Sequence, residues 1–172
     1  MNERSAVDLA WRMHDSVAAA VDRADTKAGF AATVETAVAA VVLTLLSQAH
    51  GSPLLARVLF GLSLVALASA LVAAMLVVTP RMHTPGEELE PGEFLHFGAV
   101  RLRSVEQLLD HVVPTDWDTY MVAKPWVAIA HQSKRLAEIA STKHRLVRAS
   151  FRAASAGAVL AVGAVLAGGA LR

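Results

Sequence analysis

Residues 54–78 read LLARVLFGLSLVALASALVAAMLVV, an apolar run of 25 residues in which Arg57 is the one ionisable side chain. A helix rises about 1.5 Å per residue, so about 20 residues cross the roughly 30 Å of bilayer hydrocarbon. Two similar runs, 28–48 and 152–171, contain one ionisable side chain each, Glu35 and Arg152. Three such runs predict an integral membrane protein, because a helix satisfies its own backbone hydrogen bonds where water is absent.

The composition of the 172-residue chain agrees with a membrane protein. Its hydrophobic content is 55%, above the roughly 45–50% of soluble domains. The net charge of +1 gives no overall attraction to nucleic acid, so we expect no nucleic-acid partner. The chain has no cysteine, which excludes disulfides, thiolate metal sites and cysteine nucleophiles.

The distribution of basic residues predicts the orientation in the membrane. Residues 49–53, between the first two apolar runs, contain no lysine or arginine, whereas the first 27 residues contain four and residues 79–148 contain nine. Positive charge collects on the cytoplasmic side of bacterial membrane proteins. We therefore expect the N-terminus and the 79–148 connection to be cytoplasmic, with the protein in the inner membrane and Arg57 reaching the outer interface.

The regions outside the apolar runs show helical patterns. Pro125 is typical of a first helical turn, and a helix that starts there and continues through the third run would be about 70 Å long, roughly twice the membrane requirement. Shorter helices are expected over 93–113 and 115–124. The predicted fold is an all-α integral membrane protein whose first and third transmembrane helices extend into a cytoplasmic helical bundle. Its parts are a cytoplasmic amphipathic helix (1–27), transmembrane helices (28–48, 54–78 and 149–171) and a cytoplasmic helical region (79–148) with a linker (80–92).

Three short segments resemble a known family. They are ADTKA at 24–28, FLHFG at 94–98 and QSKRLAEIASTKHR at 132–145. Together and in this order they resemble the transmembrane effectors of Pycsar, a bacterial antiphage defence system. The polar residues Thr33, Glu35 and Thr36 in the first run depart from the more uniformly apolar pattern of that family.

The resemblance implies a function. Such effectors are dormant in the membrane until a separate nucleotide cyclase, triggered by infection, makes cyclic UMP or cyclic CMP. The effector then impairs the inner membrane and the infected cell stops growing, which is abortive infection. The resemblance therefore implies a nucleotide-binding protein with no cofactor and no catalytic role.

Basic residues near the cytoplasmic end of the third run are candidates for binding the cyclic phosphate, because arginine can hold a phosphate with two parallel hydrogen bonds. The same residues also suit a simpler role in topology and contact with anionic lipid. A base could stack on Phe97, Trp117, Tyr120 or Trp126. The candidate ligand-binding residues are Arg101, Arg103, Lys134, Arg135, Lys143, Arg145 and Arg148.

Four charged residues at or inside the membrane are candidates for gating or for an interface. Asp25 and Lys27 lie at the membrane boundary, where they can pair with Lys143, Arg148 or Arg152 or simply end the apolar run. Glu35 lies deep enough in the first run that its ionisation is costly, so a partner or a neutral state is expected. That partner is Arg152, another polar group such as a serine or threonine, or a neighbouring copy.

The remaining patterns give no sign of catalysis. No pair among the seven histidines has metal-ligand spacing backed by a carboxylate, and no serine lies in a nucleophile-elbow sequence. We therefore expect no enzyme activity and no metal site. Small residues crowd the second and third runs, which favours close helix packing and a homo-oligomer. The alternative function is a membrane scaffold, accessory subunit or holin-like protein that needs no ligand.

The asymmetry of lysine and arginine makes the topology testable. A reporter fused after Arg172 should be periplasmic, and the same reporter inserted at Gly86 should be cytoplasmic, because the basic 79–148 connection stays inside. Alkaline phosphatase and fluorescent-protein fusions measure the two sides. Finding both reporters on one side would contradict the three-span arrangement.

Overall fold

A computed structural model describes residues 3–49, 51–79, 100, 102–112 and 124–170, and within these residues it is helical with no strand. Within these ranges, helix bounds are defined for α1 (Glu3–Gln48), α2 (Leu54–Val78), α3 (Val105–Val112) and α4 (Pro125–Ala170). Three of them, α1, α2 and α4, are long and apolar enough to cross a membrane. The predicted all-α membrane fold is confirmed.

The predicted continuity of the two long helices is also confirmed. Helices α1 and α4 have 46 residues each and run without a break, a length of about 69 Å. Helix α4 begins at Pro125, and the Lys124 carbonyl accepts the backbone N–H groups of Val127 and Ala128. Proline suits this first position because its missing N–H would have no partner within the helix. Which parts of both helices lie in the bilayer stays a prediction.

The chain divides into two compact units. We call Met1–Asp22 with Pro80–Ser141 the head unit, and Arg23–Thr79 with Thr142–Arg172 the membrane unit. Helices α1 and α4 contribute residues to both. The predicted 80–92 linker and 115–124 helix lie outside the described residues.

In the head unit, the helix that the sequence predicts over 93–113 is interrupted, with Val100 and Leu102 helical before the break and α3 after it. A single helix over 93–113 is wrong, because the described chain is not helical at Arg103 and Ser104. The Ser104 hydroxyl accepts the backbone N–H of Gln107 at 3.2 Å, and the Gln107 side chain accepts that of Ser104 at 3.0 Å. This reciprocal capping box marks a helix start. Hydrogen bonds from its own backbone and from Ser104 lower the pKa of the neighbouring Glu106 carboxyl.

The membrane unit is packed along a seven-residue repeat. On α2 the buried residues alternate at spacings of four and three, the pattern of helices that pack as in a coiled coil. Buried residues on α1 and α4 follow the same repeat. They are Ala56, Phe60, Ser63, Leu67, Ala70, Ala74 and Val77 on α2, Ala24, Ala28, Ala31, Glu35 and Val42 on α1, and Lys143, Val147, Ser150, Gly157 and Ala164 on α4.

Two apolar clusters form the core of this unit. One joins Ala24 and Ala28 of α1 to Val77 of α2 and Val147 of α4. The other contains Val42, Ala49, Phe60, Leu67 and Ala164. On α1 and α4 the residues that lie between the two clusters include buried polar groups, which are described below.

Helices α2 and α4 approach each other closely at Gly157. The Ser63 hydroxyl donates to the Gly157 carbonyl at 2.7 Å. A Cβ atom placed on Gly157 would lie 2.9 Å from Leu67 Cγ and 3.2 Å from the Ser63 carbonyl oxygen. Glycine therefore permits this contact, as small residues commonly do between membrane helices.

Alanine substitution tests that contact with a matched control. Gly157→Ala overpacks the contact, whereas Gly61→Ala, on α2, places its Cβ where nothing lies within 4 Å. Because both variants gain the same helix propensity, we expect Gly157→Ala to be less stable than Gly61→Ala by about 1–3 kcal/mol. Denaturant unfolding in detergent micelles measures the difference. Equal stability of the two variants would contradict the close approach.

Candidate functional site

An ion pair joins α1 to α4 near one end of the membrane unit. Lys143 Nζ lies 2.5 Å from Asp25 Oδ1 and 2.7 Å from Oδ2. The Lys143 side chain is 11% exposed and that of Asp25 is 38% exposed. Asp25–Lys143 is one of the pairings that the sequence suggested. The lysine binds both carboxylate oxygens and is largely shielded from water. It is therefore a poor candidate for binding a nucleotide.

A second polar contact joins the same helices farther along. Glu35, on α1, is 3% exposed, and the Ser150 hydroxyl of α4 donates to its Oε1 at 2.5 Å. The other carboxyl oxygen, Oε2, is buried and has no hydrogen-bond partner among the described residues. An unmade hydrogen bond at a buried polar atom costs about 1–3 kcal/mol. Glu35 is therefore held by one hydroxyl group and only half satisfied.

The other expected partners of these acids lie elsewhere. Arg152 is exposed, and within the described ranges no hydrogen bond or ion pair joins it to Glu35. Lys27 and Arg148 are exposed as well. The partner that the structure gives Glu35 is thus a serine.

The hydroxyl groups of the threonines beside Glu35 form hydrogen bonds within α1. The hydroxyls of Thr33 and Thr36 donate to carbonyls four residues earlier, at Gly29 and Ala32, over 3.0 Å and 2.7 Å. Such bonds to the same helix leave the hydroxyl in no need of another partner. Although both threonines are exposed, they give no reason to expect a second chain against this face.

The seven candidate ligand residues fall in different units. Arg101, Arg103, Lys134 and Arg135 belong to the head unit, and Lys143, Arg145 and Arg148 to the membrane unit. Lys134 is exposed and Arg135 half-buried on α4, while Arg103 is half-buried just before α3. Arg101 and the aromatic residues Phe97, Trp117 and Tyr120 lie outside the described residues. Trp126 is half-buried, with Lys124 Nζ 5.3 Å from its ring centre.

The head unit also contains polar atoms with unmet hydrogen-bonding capacity. Gln132 Oε1 and His14 Nδ1 are buried without a hydrogen-bond partner among the described residues. The His14 ring packs edge-on against Trp11, with ring centres 5.3 Å apart. The sequence pattern does not single out either atom, since a glutamine or histidine at helical spacing is ordinary.

The comparison with known proteins identifies the family. The family model described as the Pycsar effector protein domain matches residues 9–169, which is nearly the whole chain. The chain belongs to the Pycsar effector family. No curated protein and no solved structure gives a significant match.

Membership and fold together make this chain a membrane effector of an antiphage system. The family implies a cyclic pyrimidine nucleotide as the signal and a separate cyclase as its source. Members are membrane effectors rather than known enzymes. Within the described residues of this effector, no group of three or more His, Asp or Glu side chains could hold a metal ion.

The Glu35–Ser150 hydrogen bond has a testable energetic consequence. Ser150→Ala leaves both carboxyl oxygens without a partner, so we expect a loss of about 1–3 kcal/mol in unfolding free energy. In the double variant Glu35→Leu/Ser150→Ala no polar atom remains to be satisfied, and most of that stability should return. Ser155→Ala, at an exposed position of the same helix, is the control. If Ser150→Ala unfolds like Ser155→Ala in detergent, the hydrogen bond contributes no stability.

Proposed function

We propose that this effector is switched on by cyclic UMP or cyclic CMP and then impairs the bacterial inner membrane, so that an infected cell stops growing. The observation that carries the proposal is the family match over residues 9–169 on a chain with three membrane-spanning helices. A separate cyclase supplies the nucleotide. Because that nucleotide is made in the cytoplasm, the sensing surface must face inward, in agreement with the basic N-terminus and 79–148 connection.

The nucleotide binds in the head unit, at the basic residues of α4 and of the segment before α3. A cyclic phosphate carries one negative charge, which a lysine or arginine can meet with a charge-assisted hydrogen bond. Lys134 and Arg135 are consecutive on α4, and Arg101 and Arg103 precede α3. Of the three candidates in the membrane unit, Lys143 is largely buried against Asp25, and Arg145 and Arg148 are exposed next to the apolar part of α4.

Arg145, Arg148 and Arg152 instead meet the headgroups of anionic lipids. All three are exposed on α4 at spacings of three and four residues, so they share one face of the helix. Arginine at the cytoplasmic end of a membrane helix can extend its charged end to the headgroup level. Each contributes about 1 kcal/mol of attraction to an anionic surface.

The active form is a homo-oligomer. The interior of the membrane unit is filled by the two apolar clusters and the polar contacts between them. Three helices packed in this way leave no room for a water-filled path inside one copy. A path across the membrane therefore needs several copies as well as a change in packing.

Nucleotide binding by the purified protein tests the proposal. Isothermal titration calorimetry should detect cyclic UMP or cyclic CMP, and cyclic AMP only weakly. Charge reversal of Arg101, Lys134 or Arg135 should weaken binding by about tenfold or more at one or more of these sites, because one charge-assisted hydrogen bond contributes about 1.5–3 kcal/mol.

Two controls make this result specific. Arg57→Glu reverses a charge at the other end of the membrane unit, where Arg57 Nε donates to the Ser52 carbonyl, and it should retain full affinity. Arg145→Glu, on the lipid-facing side, should retain it too. Absence of binding by all three nucleotides would contradict the proposal and favour a ligand-independent membrane scaffold. Full affinity in all three head-unit variants would show that the nucleotide binds at other residues.

A further inference from the structure

The three helices of the membrane unit are held together in two different ways. Between α2 and α4 the contact is close and made by backbone and small residues. The Ser63 hydroxyl binds the Gly157 carbonyl, and a Cβ on Gly168 would lie 3.8 Å from Ala56 Cβ and 3.9 Å from Ser52 Oγ. Nothing can enter such a contact without separating the helix backbones.

Between α1 and α4 the distinctive contacts are made by polar side chains. The Asp25–Lys143 ion pair and the Glu35–Ser150 hydrogen bond both join these helices, and Glu35 Oε2 has no partner there. When water enters, it can form hydrogen bonds with the separated polar side chains, whereas separated apolar surfaces gain no such compensation. The α1–α4 contact therefore opens at lower cost once water reaches it.

The clefts of the membrane unit also border α1. One of about 340 Å³ lies between α1 and α4, lined by Val38, Val42 and Ala161 among others. One of about 370 Å³ lies between α1 and α2, beside Ala32 and Ala74. One of about 270 Å³, near Ala49 and Gly168, is lined by all three helices. Because a cleft removes packing contacts from its walls, each of these three clefts weakens the packing of α1 against its neighbours.

From these observations we propose that α1 is the moving helix of the membrane unit, and that activation separates it from a rigid α2–α4 pair. The inference rests on the proposed function in assuming a dormant and an active state. Separation exposes Lys143 and Ser150, which are seven residues apart on one face of α4, together with Asp25 and Glu35 of α1. These four side chains then supply a polar surface for a water-filled path between copies.

The absence of cysteine from the chain allows each helix pair to be locked selectively. Ala28→Cys/Val147→Cys joins α1 to α4 within one buried cluster. Ala56→Cys/Gly168→Cys joins α2 to α4 at a Cβ separation of 3.8 Å, the mean value of about 3.8 Å for a disulfide. Oxidation should abolish nucleotide-triggered dye release from vesicles in the first variant and leave it unchanged in the second. Reduction should restore release in the first.

A second experiment needs no nucleotide. In Lys143→Glu a second carboxylate faces Asp25, so the repulsion should open the α1–α4 contact. A membrane-impermeant maleimide should then label Ser150→Cys at least about tenfold faster. The swap Asp25→Lys/Lys143→Glu should return labelling to the parent rate. Ser63→Cys, at the α2–α4 contact, should stay protected throughout.

The two experiments separate the possible failures. If Lys143→Glu leaves Ser150→Cys protected, or if it exposes Ser63→Cys equally, α1 is not the moving helix. The same conclusion follows if the α2–α4 lock blocks dye release or the α1–α4 lock does not. If no nucleotide releases dye from vesicles with the reduced protein while Lys143→Glu still exposes Ser150→Cys, the proposed ligand is wrong. The proposal that α1 is the moving helix is then retained.

Discussion

Lys143, Ser150 and Gly157 follow one another at seven-residue intervals on α4, and each makes a polar contact that positions another helix. Lys143 and Ser150 bind acids of α1, and Gly157 accepts a hydroxyl from α2. The contacts of Ser150 and Gly157 lie within the predicted transmembrane segments, where no water competes for the polar groups, so they determine which faces of the helices meet. Apolar packing alone would specify the arrangement less well, since lipid tails are as apolar as the side chains. The rest of the membrane unit packs around this row on α4.

The sequence was sufficient for the large features of the fold. Length and hydropathy predicted the three spans, and the helical pattern from Pro125 predicted that α4 is unbroken, because both follow from local composition. It also suggested that Asp25 pairs with a basic residue of the last helix. The sequence could not show that Ser150 is the partner of Glu35 or that α2 and α4 approach closely at Gly157. Both depend on how the helices are rotated against each other, which the sequence of a single helix does not encode. The break before α3 could have been found from Ser104 and Gln107, whose three-residue spacing is that of a capping box.

The separation of the candidate residues has a functional meaning. In the proposed function, nucleotide binding uses basic residues of the head unit and membrane damage uses Asp25 and Glu35 of the membrane unit, so the two tasks would use different parts of the chain. Helices α1 and α4 contribute to both units, and they are also joined by the Asp25–Lys143 ion pair and the Glu35–Ser150 hydrogen bond. In the proposed function, nucleotide binding to the head unit can therefore act on the membrane unit through two continuous helices. Coupling of this kind needs only that the ligand favour one arrangement of those helices over the other.

The most direct measurement is dye release from vesicles of phosphatidylethanolamine and phosphatidylglycerol that contain the purified, full-length protein. Addition of cyclic UMP or cyclic CMP should trigger release that depends on protein and nucleotide concentration, while cyclic AMP should have little effect. Vesicles that stay intact with both pyrimidine nucleotides, or that leak equally without any nucleotide, would contradict a ligand-switched membrane effector.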